Sequence, residues 1–549
     1  MHLPGQLSRT SWGTDTLFEI KSLSYRYPDG RLALQGIDLK IYGGDRIALV
    51  GHNGAGKTTL IQHLNGLKQG QKGAVFYKGE PLERENLKRA RLEVGMLFQD
   101  PDDQLFCNTI YEDVAFGPLN QGLGRDEMGA RVLAALNEVE LAELTYKPPH
   151  HLSYGQKKRA ALATLLSMNP DVLILDEPTA NLDPKQEKIF IELLERFSGT
   201  LLCISHDLPF LYTLCTRAVV LEKGKIHHDY SMRELVSHPA YLRDHGLDFT
   251  FRFSCCQENG GHRHHHDHLK TSDKSVADAC AGGKGGKDKV DRKPLIRLND
   301  FSFLYPDGTW GVRDVNLEIP PGSNVAVVGE NGAGKSTLVR CLMGIFEGAG
   351  DYIFNDKVVS KRFRKELWRY VGMVFQDPAD QLFCPSCWEE VAFGPKQLKL
   401  SPKEVGARVE EALSLVRLNG YEDRVPHHLS AGERKRLSLA AVLSMRPQVL
   451  FLDEPSANLD PHGEELLLEI LNRLNATKIL ITHDIFLVSN LCERTIVMHG
   501  GKVIRDYMTD EFERDEHLIS INGLDYRFKN ACCQEIINLQ IQATKNVGS

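Results

Sequence analysis

Two short stretches of this chain have the residue types and spacing to hold a phosphate chain. Gly51-His52-Asn53-Gly54-Ala55-Gly56-Lys57-Thr58 and Gly329-Glu330-Asn331-Gly332-Ala333-Gly334-Lys335-Ser336 both fit the pattern G-x-x-x-x-G-K-[ST]. The glycines let the backbone wrap phosphate oxygens, and the N–H groups at the start of the following helix point at them. Lys57 and Lys335 are suited to neutralising terminal phosphates, and the hydroxyls of Thr58 and Ser336 to binding Mg²⁺. Such loops need a strand before them and a helix after. Arg46–Val50 and Asn324–Val328 read as the buried strands, and the runs starting at Thr59 and Thr337 read as the helices.

Further chemistry follows in each copy. The apolar runs 171–176 and 448–453 end in Asp176-Glu177-Pro178 and Asp453-Glu454-Pro455. The first carboxylate of each pair can take part in the Mg²⁺ shell, and the second can orient and polarise an attacking water. Ala-Asn-Leu-Asp-Pro comes next, at 180–184 and 457–461, and later strands end at His206 and His483. A histidine at the same distance from the acidic pair in both copies is expected to face phosphate. Before each acidic strand lies Leu152-Ser153-Tyr154-Gly155-Gln156 or Leu429-Ser430-Ala431-Gly432-Glu433. A serine beside glycine at a helix start is an anion-binding arrangement, or on its own an N-cap.

The duplication extends over most of the chain. The second loop lies 278 residues after the first, and from Gln99 and Gln376 onward the spacing is 277. Two paralogous halves are expected at 15–250 and 295–530, each long enough for its own core. They are joined by a flexible linker, 251–294, and followed by a C-terminal tail, 531–549. The stretch from Gln257 to Lys293 is rich in Gly, Lys, Asp and His and has little apolar surface with which to offset ordering entropy.

Composition fits a soluble globular protein. Charged residues make up 25% and the net charge is −7, a balance that argues against nucleic-acid binding. No apolar run reaches the length of a membrane span, and the stretch from Met1 to Trp12 lacks the apolar core of a signal peptide. The cysteines are expected to be reduced thiols.

In order and spacing these motifs resemble the nucleotide-binding domains of ABC ATPases. The resemblance covers both halves and implies an α/β fold of two tandem P-loop domains, each with a helical subdomain. It also implies ATP and Mg²⁺ as cofactors. In that family two domains pack head to tail and sandwich two ATP molecules. Site one would join the loop Gly51–Thr58, Gln99, Asp176, Glu177 and His206 to Ser430 and Gly432. Site two would join Gly329–Ser336, Gln376, Asp453, Glu454 and His483 to Ser153 and Gly155. By the same resemblance Gln99 and Gln376 serve both the Mg²⁺ and the attacking water. Tyr27 and Tyr305, each 24 residues before its loop, match the aromatic that stacks on adenine.

A finer resemblance lies after each glutamine. Gln99-Asp-Pro-Asp-Asp-Gln-Leu-Phe-Cys107 with Glu112-Asp-Val-Ala-Phe-Gly-Pro118, and their counterparts at 376–384 and 389–395, are similar to the ATPases of energy-coupling-factor importers. Leu152-Ser-Tyr-Gly-Gln-Lys-Lys-Arg159 is most similar to their cobalt/nickel branch. In such importers this region faces coupling helices of a membrane subunit, beside a substrate-binding membrane subunit. Gln104-Leu105-Phe106 and Gln381-Leu382-Phe383 are accordingly expected to be exposed. The chain is expected at the cytoplasmic face of the membrane, held by protein contacts.

Tyr154, Ala431 and Glu433 depart from the usual Leu-Ser-Gly-Gly-Gln. Five histidines at 262, 264, 265, 266 and 268 could hold nickel or cobalt, or be only a solvated linker. The pairs Cys255-Cys256 and Cys532-Cys533 could form a soft metal or redox site, or be structural or inert, and Cys384-Pro-Ser-Cys387 reads as a chance spacing. The competing readings are a vitamin importer and a soluble tandem ATPase acting on ribosomes or DNA. The second would be expected to carry basic arms or coiled-coil insertions, and neither appears between Gln99 and Ser153 or between Gln376 and Ser430.

Overall fold

The computed structural model of this chain describes residues 15–244 and 293–512 apart from Asp29, Lys72 and Asn458, together with Asp515, Ile536 and Asn538. The linker histidines, Cys255-Cys256 and Cys532-Cys533 lie outside these residues.

Each half is built on a six-stranded sheet. In the first half the order is Lys225–Ser231, Arg217–Glu222, Arg46–Val50, Thr200–Ile204, Val172–Asp176, Val94–Leu97. All neighbours are parallel except the terminal hairpin. The second half repeats this order, with Thr477–Ile481 between Asn324–Val328 and Val449–Asp453. A smaller antiparallel sheet packs alongside in each half, built around Thr16–Arg26 or Ile296–Leu304.

The pleat divides each strand between two cores. Ala48 and Val50 point into the core shared with the helical layer, while Ile47 and Leu49 point into the core under the small sheet. Leu173 and Leu175 alternate with Val172 and Ile174 in the same way, and Val325 to Val328 repeat it. A strand buried on both faces reads as a continuous apolar run, which is why these segments stand out in the sequence. Each such side chain contributes about 1.5–3 kcal/mol on burial.

The helical layer of the first half consists of Ile110–Asn120, Arg125–Glu138 and Tyr154–Leu166. Cys387–Gln397, Pro402–Leu415 and Ala431–Leu443 form that of the second. Gly117 and Gly394 permit a close crossing there. A Cβ on Gly117 would lie 2.4 Å from Met168 Cγ, and one on Gly394 would lie 2.5 Å from Met445 Cγ. Ile536, far along the chain, is buried in the helical core of the first half. Cys387 is buried in that of the second.

Parallel sheets present their ligand sites at the carboxyl ends of the strands. The strands ending at Val50, Asp176 and Ile204 are neighbours, so the phosphate loop, the acidic pair and His206 emerge at one edge. The second half does the same at Val328, Asp453 and Ile481.

Candidate functional site

Gly51 and Gly329 start the two loops at φ of 141° and 150°. A Cβ on Gly51 would lie 2.1 Å from the Leu221 carbonyl oxygen, so only glycine fits. Gly56 and Gly334, also at positive φ, stand at the N-cap positions of helices Lys57–Leu64 and Lys335–Leu342. Neither can offer a side-chain cap, which leaves first-turn N–H groups for an anion. Lys57 Nζ donates to the carbonyls of Gly51 at 2.6 Å and His52 at 3.0 Å. Lys335 Nζ donates to Gly329 at 2.7 Å and Glu330 at 2.9 Å. Burial pushes both ammonium pKa values down, against the pull of nearby carboxylates.

The acidic pair lies against each loop. Asp176 is buried and accepts a hydrogen bond from the Thr58 hydroxyl, and burial raises its carboxyl above the usual range. A buried carboxylate touching a loop hydroxyl is a hard oxygen donor set that suits Mg²⁺. Glu177 and Glu454 have left-handed backbones, with φ of 46° and 41°. That conformation is costly for a residue with a side chain and is held by its surroundings. Burial pushes Glu177 up to about 8, with Asp176 adding to the effect, and Glu454 up to about 7.

The histidines sit beside the loops. His206 Nε2 is 3.1 Å from Asn53 Oδ1 and 3.6 Å from Glu177 Oε1. His483 Nε2 is 3.2 Å from Asn331 Oδ1 and 3.7 Å from Glu454 Oε1. Burial, then the neighbouring lysine, lowers both to about 3, so the imidazoles are neutral at physiological pH.

A cleft of about 220 Å³ opens over the first loop. Tyr27, Asn53, Lys57, Thr58, Gln99, Asp176, Glu177 and His206 line it, and so does Ala431 from the second half. Tyr27 is fixed by its hydroxyl, 3.0 Å from Thr59 Oγ1, and Tyr305 by the matching 2.9 Å contact with Thr337. Ala431 stands between Ser430 and Gly432, so of the two signature helices, Tyr154–Leu166 and Ala431–Leu443 behind Ser153 and Ser430, the second faces the first loop. In the other direction Asn331 N donates to Asp183 Oδ2 at 3.5 Å, across the halves. Ser153 and Ser430 also fit the bland reading, since each caps its own helix in a reciprocal capping box with Gln156 or Glu433.

The ABC transporter family profile matches residues 34–180 and 312–457, more than half of the chain. The chain belongs to the ABC transporter family. It is similar to a Methanosarcina mazei protein named for an ABC transporter ATP-binding role, at 35% identity over 90% of this chain and 89% of that one. A like-named protein of Caldanaerobacter subterraneus subsp. tengcongensis is 33% identical over 92% of this chain and 93% of its own. Among solved structures, cbiO1 of Clostridium perfringens, part of the ABC transporter complex cbiONQ, shares 34% identity. That likeness covers 44% of this chain and all of cbiO1, with a TM-score of 0.39. ABC cassettes bind and hydrolyse ATP, and this chain is an ATPase carrying two of them in tandem.

The expectation for the segments after the glutamines needs correcting. Phe106 and Phe383 are 67% and 66% exposed, but Leu105 and Leu382 are buried in the helical cores. Gln104 turns inward and donates to the Ala161 carbonyl and Thr164 Oγ1, and Gln381 donates to the Ser438 carbonyl. A short 3-10 turn, Pro101–Asp103 or Pro378–Asp380, rotates the three residues onto different faces. Sequence reasoning also missed Lys158 and Lys435. Both are buried within signature helices, where a lysine-arginine run reads as solvent-facing. Their hydrogen bonds are the only signal, and that signal is three-dimensional.

Proposed function

We propose that this chain is the ATP-hydrolysing energy-coupling subunit of an energy-coupling-factor importer, peripheral on the cytoplasmic face of the cell membrane, with cobalt or nickel ions as cargo. The observation that carries the importer reading is the exposed phenylalanine in each half, seven residues after the glutamine. Asp113 accepts from the N–H groups of Phe106 and Cys107, and Glu390 from those of Phe383 and Cys384, so each knob stands on a fixed loop. Each also meets a second exposed ring edge-on, Phe116 at 5.2 Å and Phe393 at 5.0 Å. A rigid apolar knob is suited to a pocket on a protein partner. Among the described residues no helix is long and apolar enough to cross a membrane, so such a chain would act through a membrane subunit.

In this reading the halves form two composite sites, one under Ser430 and Gly432 and the other under Ser153 and Gly155. Tyr27 and Tyr305 stack on adenine. Lys57 and Lys335 neutralise the terminal phosphates. Asp176, Thr58 and Gln99 in one site, and Asp453, Ser336 and Gln376 in the other, would hold Mg²⁺, which when bound supplies positive charge at the phosphate oxygens. Glu177 and Glu454 orient and polarise a water. Its oxygen bonds to the γ-phosphorus as the bond to the bridging oxygen breaks and one of its protons passes to the glutamate, leaving ADP and phosphate. His206 and His483, neutral, hydrogen-bond beside the γ-phosphate.

The cargo rests on the Leu152–Arg159 resemblance and the linker histidines. Uptake of radiolabelled Co²⁺, Ni²⁺ and vitamins in cells lacking this chain tests it. Loss of metal uptake is expected, and loss of a vitamin alone would overturn the cargo while leaving the ATPase intact. Replacing the five linker histidines with alanine is expected to spare ATP hydrolysis.

A further inference from the structure

A buried ammonium stands behind each acidic pair. Lys158 is 0% exposed and Lys435 is 2% exposed. Lys158 Nζ donates to the carbonyls of Gln99 at 2.7 Å, Phe98 at 3.3 Å and Glu177 at 3.2 Å. Lys435 Nζ donates to those of Gln376 at 2.7 Å, Phe375 at 3.1 Å and Glu454 at 3.3 Å. An ammonium has three hydrogens, and here each has a carbonyl. Burying a charge away from water is unfavourable unless its hydrogen bonds are satisfied, and in each half they are satisfied by the same three backbone positions.

Those positions matter. One carbonyl belongs to the glutamate whose backbone is left-handed in both halves. The other two belong to the glutamine segment that leads, within seven residues, to the exposed phenylalanine. The lysine itself rides on the helix capped by Ser153 or Ser430. A single ammonium therefore joins three pieces of one half: the signature helix, the glutamine segment and the acidic turn. Lys157, the adjacent residue, instead reaches outward to Asp102 at 2.6 Å.

We propose that Lys158 and Lys435 are positioning residues for hydrolysis, clamping the left-handed turn of Glu177 and Glu454 to the glutamine segment and the signature helix of the same half. They act through the glutamates and touch no substrate. The proposal rests on the reading of Glu177 and Glu454 as the water-activating groups.

Methionine and glutamine separate a donor from a filler. Lys158→Met with Lys435→Met keeps the volume and loses the donors, whereas Lys158→Gln with Lys435→Gln keeps two N–H donors on a shorter arm. The full chain carries each pair, and ATP hydrolysis and equilibrium ATP binding are measured together. The Met pair is expected to lower kcat about tenfold or more with ATP affinity within about threefold of native, because misplacement of the water-activating group costs turnover rather than binding. The Gln pair is expected to recover at least part of that loss. A Met pair that turns over like native, a Gln pair worse than the Met pair, or loss of ATP binding in step with kcat would each overturn the proposal in favour of plain packing. If the Met pair does not fold, as judged by circular dichroism, the single Lys158→Met and Lys435→Met variants decide. Retained binding with reduced kcat supports the clamp, and native kcat refutes it. Glu177→Gln with Glu454→Gln is run beside them. Native hydrolysis there would sink the glutamate reading itself, whereas a dead glutamate pair beside a native Met pair would sink only the lysine clamp.

Discussion

The two halves share every motif and differ in how each is tuned. In the first, Gln156 closes the capping box, its Oε1 accepting from Ser153 N at 3.0 Å. In the second, the Glu433 carboxylate accepts from Ser430 N, the Ser430 hydroxyl and the Tyr421 hydroxyl, all at 2.8 Å. These bonds pull Glu433 below the usual carboxylate range, against the effect of its burial. A full negative charge therefore sits in the first turn of the second signature helix, where the first half has a neutral amide. The acidic pairs differ as well. Glu454 accepts a hydrogen bond from the Thr482 hydroxyl at 2.8 Å, at a position where the first half has Ser205. In the proposed head-to-tail pairing the Glu433 departure falls on the first composite site and the Thr482 departure on the second. In that pairing Glu177 works under the helix that carries Glu433. Glu454 works under Gln156. A duplicated sequence thus need not give two equal engines, because each engine is assembled from unlike parts of both copies.

The largest expected effect tests that comparison directly. Glu177→Gln with Glu454→Gln should lower ATP hydrolysis by about 10²-fold or more while ATP still binds, since an amide keeps the shape but cannot act as a base. The single changes should be unequal. Glu454→Gln should remove most turnover, roughly tenfold, and Glu177→Gln only about a tenth of it, if the second composite site is the faster and the two sites add. Phosphate release at saturating ATP measures all three. Equal single losses would break the comparison, and native turnover in the double variant would remove the assignment of both glutamates.

A second contrast lies on the proposed docking face. Around Phe106 the first half exposes Phe116 and Leu119, while around Phe383 the second exposes Phe393 and has Lys396 in place of the leucine. The more apolar patch should contribute more to a hydrophobic contact. Phe106→Asp should therefore weaken retention on isolated membranes about tenfold and Phe383→Asp by less, with ATP binding unchanged in both. Co-sedimentation with membranes reads this out. Undiminished association of the doubly substituted chain would count against the importer reading.

Much of this was legible because it is local. Arg46–Val50 and Val172–Asp176 are buried on both faces, so their apolar runs announce them, and the loop glycines sit where positive φ excludes other residues. What stayed hidden depends on contacts distant in sequence. Leu105 looks like its exposed neighbour Phe106 until the 3-10 turn separates them. Lys158 looks like Lys157 until the helix faces are assigned, one carrying its ammonium into the core and the other out to Asp102. Ile536 falls in a stretch that reads as a tail, and its burial belongs to the other half's core.

The smallest expected effect is the sharpest test of the asymmetry. Glu433→Gln removes one charge and keeps an acceptor for Ser430 N, which makes the second signature helix like the first. A carboxylate near the helix end that faces the first loop opposes the approach of an anionic phosphate. At the effective dielectric of a partly buried site, on the order of 1 kcal/mol is at stake, or about fivefold. The carboxylate also holds Tyr421, so the change should lower stability by roughly 0.5–1.5 kcal/mol, seen as a modest fall in Tm. In a Glu454→Gln background, where only the first composite site can turn over, Glu433→Gln should raise phosphate release about two- to fivefold and tighten ATP binding. The same substitution in a Glu177→Gln background should leave phosphate release unchanged, because the second site does not contain residue 433. A gain in both backgrounds would mean that Glu433 acts on the whole chain. A loss in the Glu454→Gln background would mean that the carboxylate serves the first site as a holder of Ser430, and the electrostatic account of the asymmetry would fail.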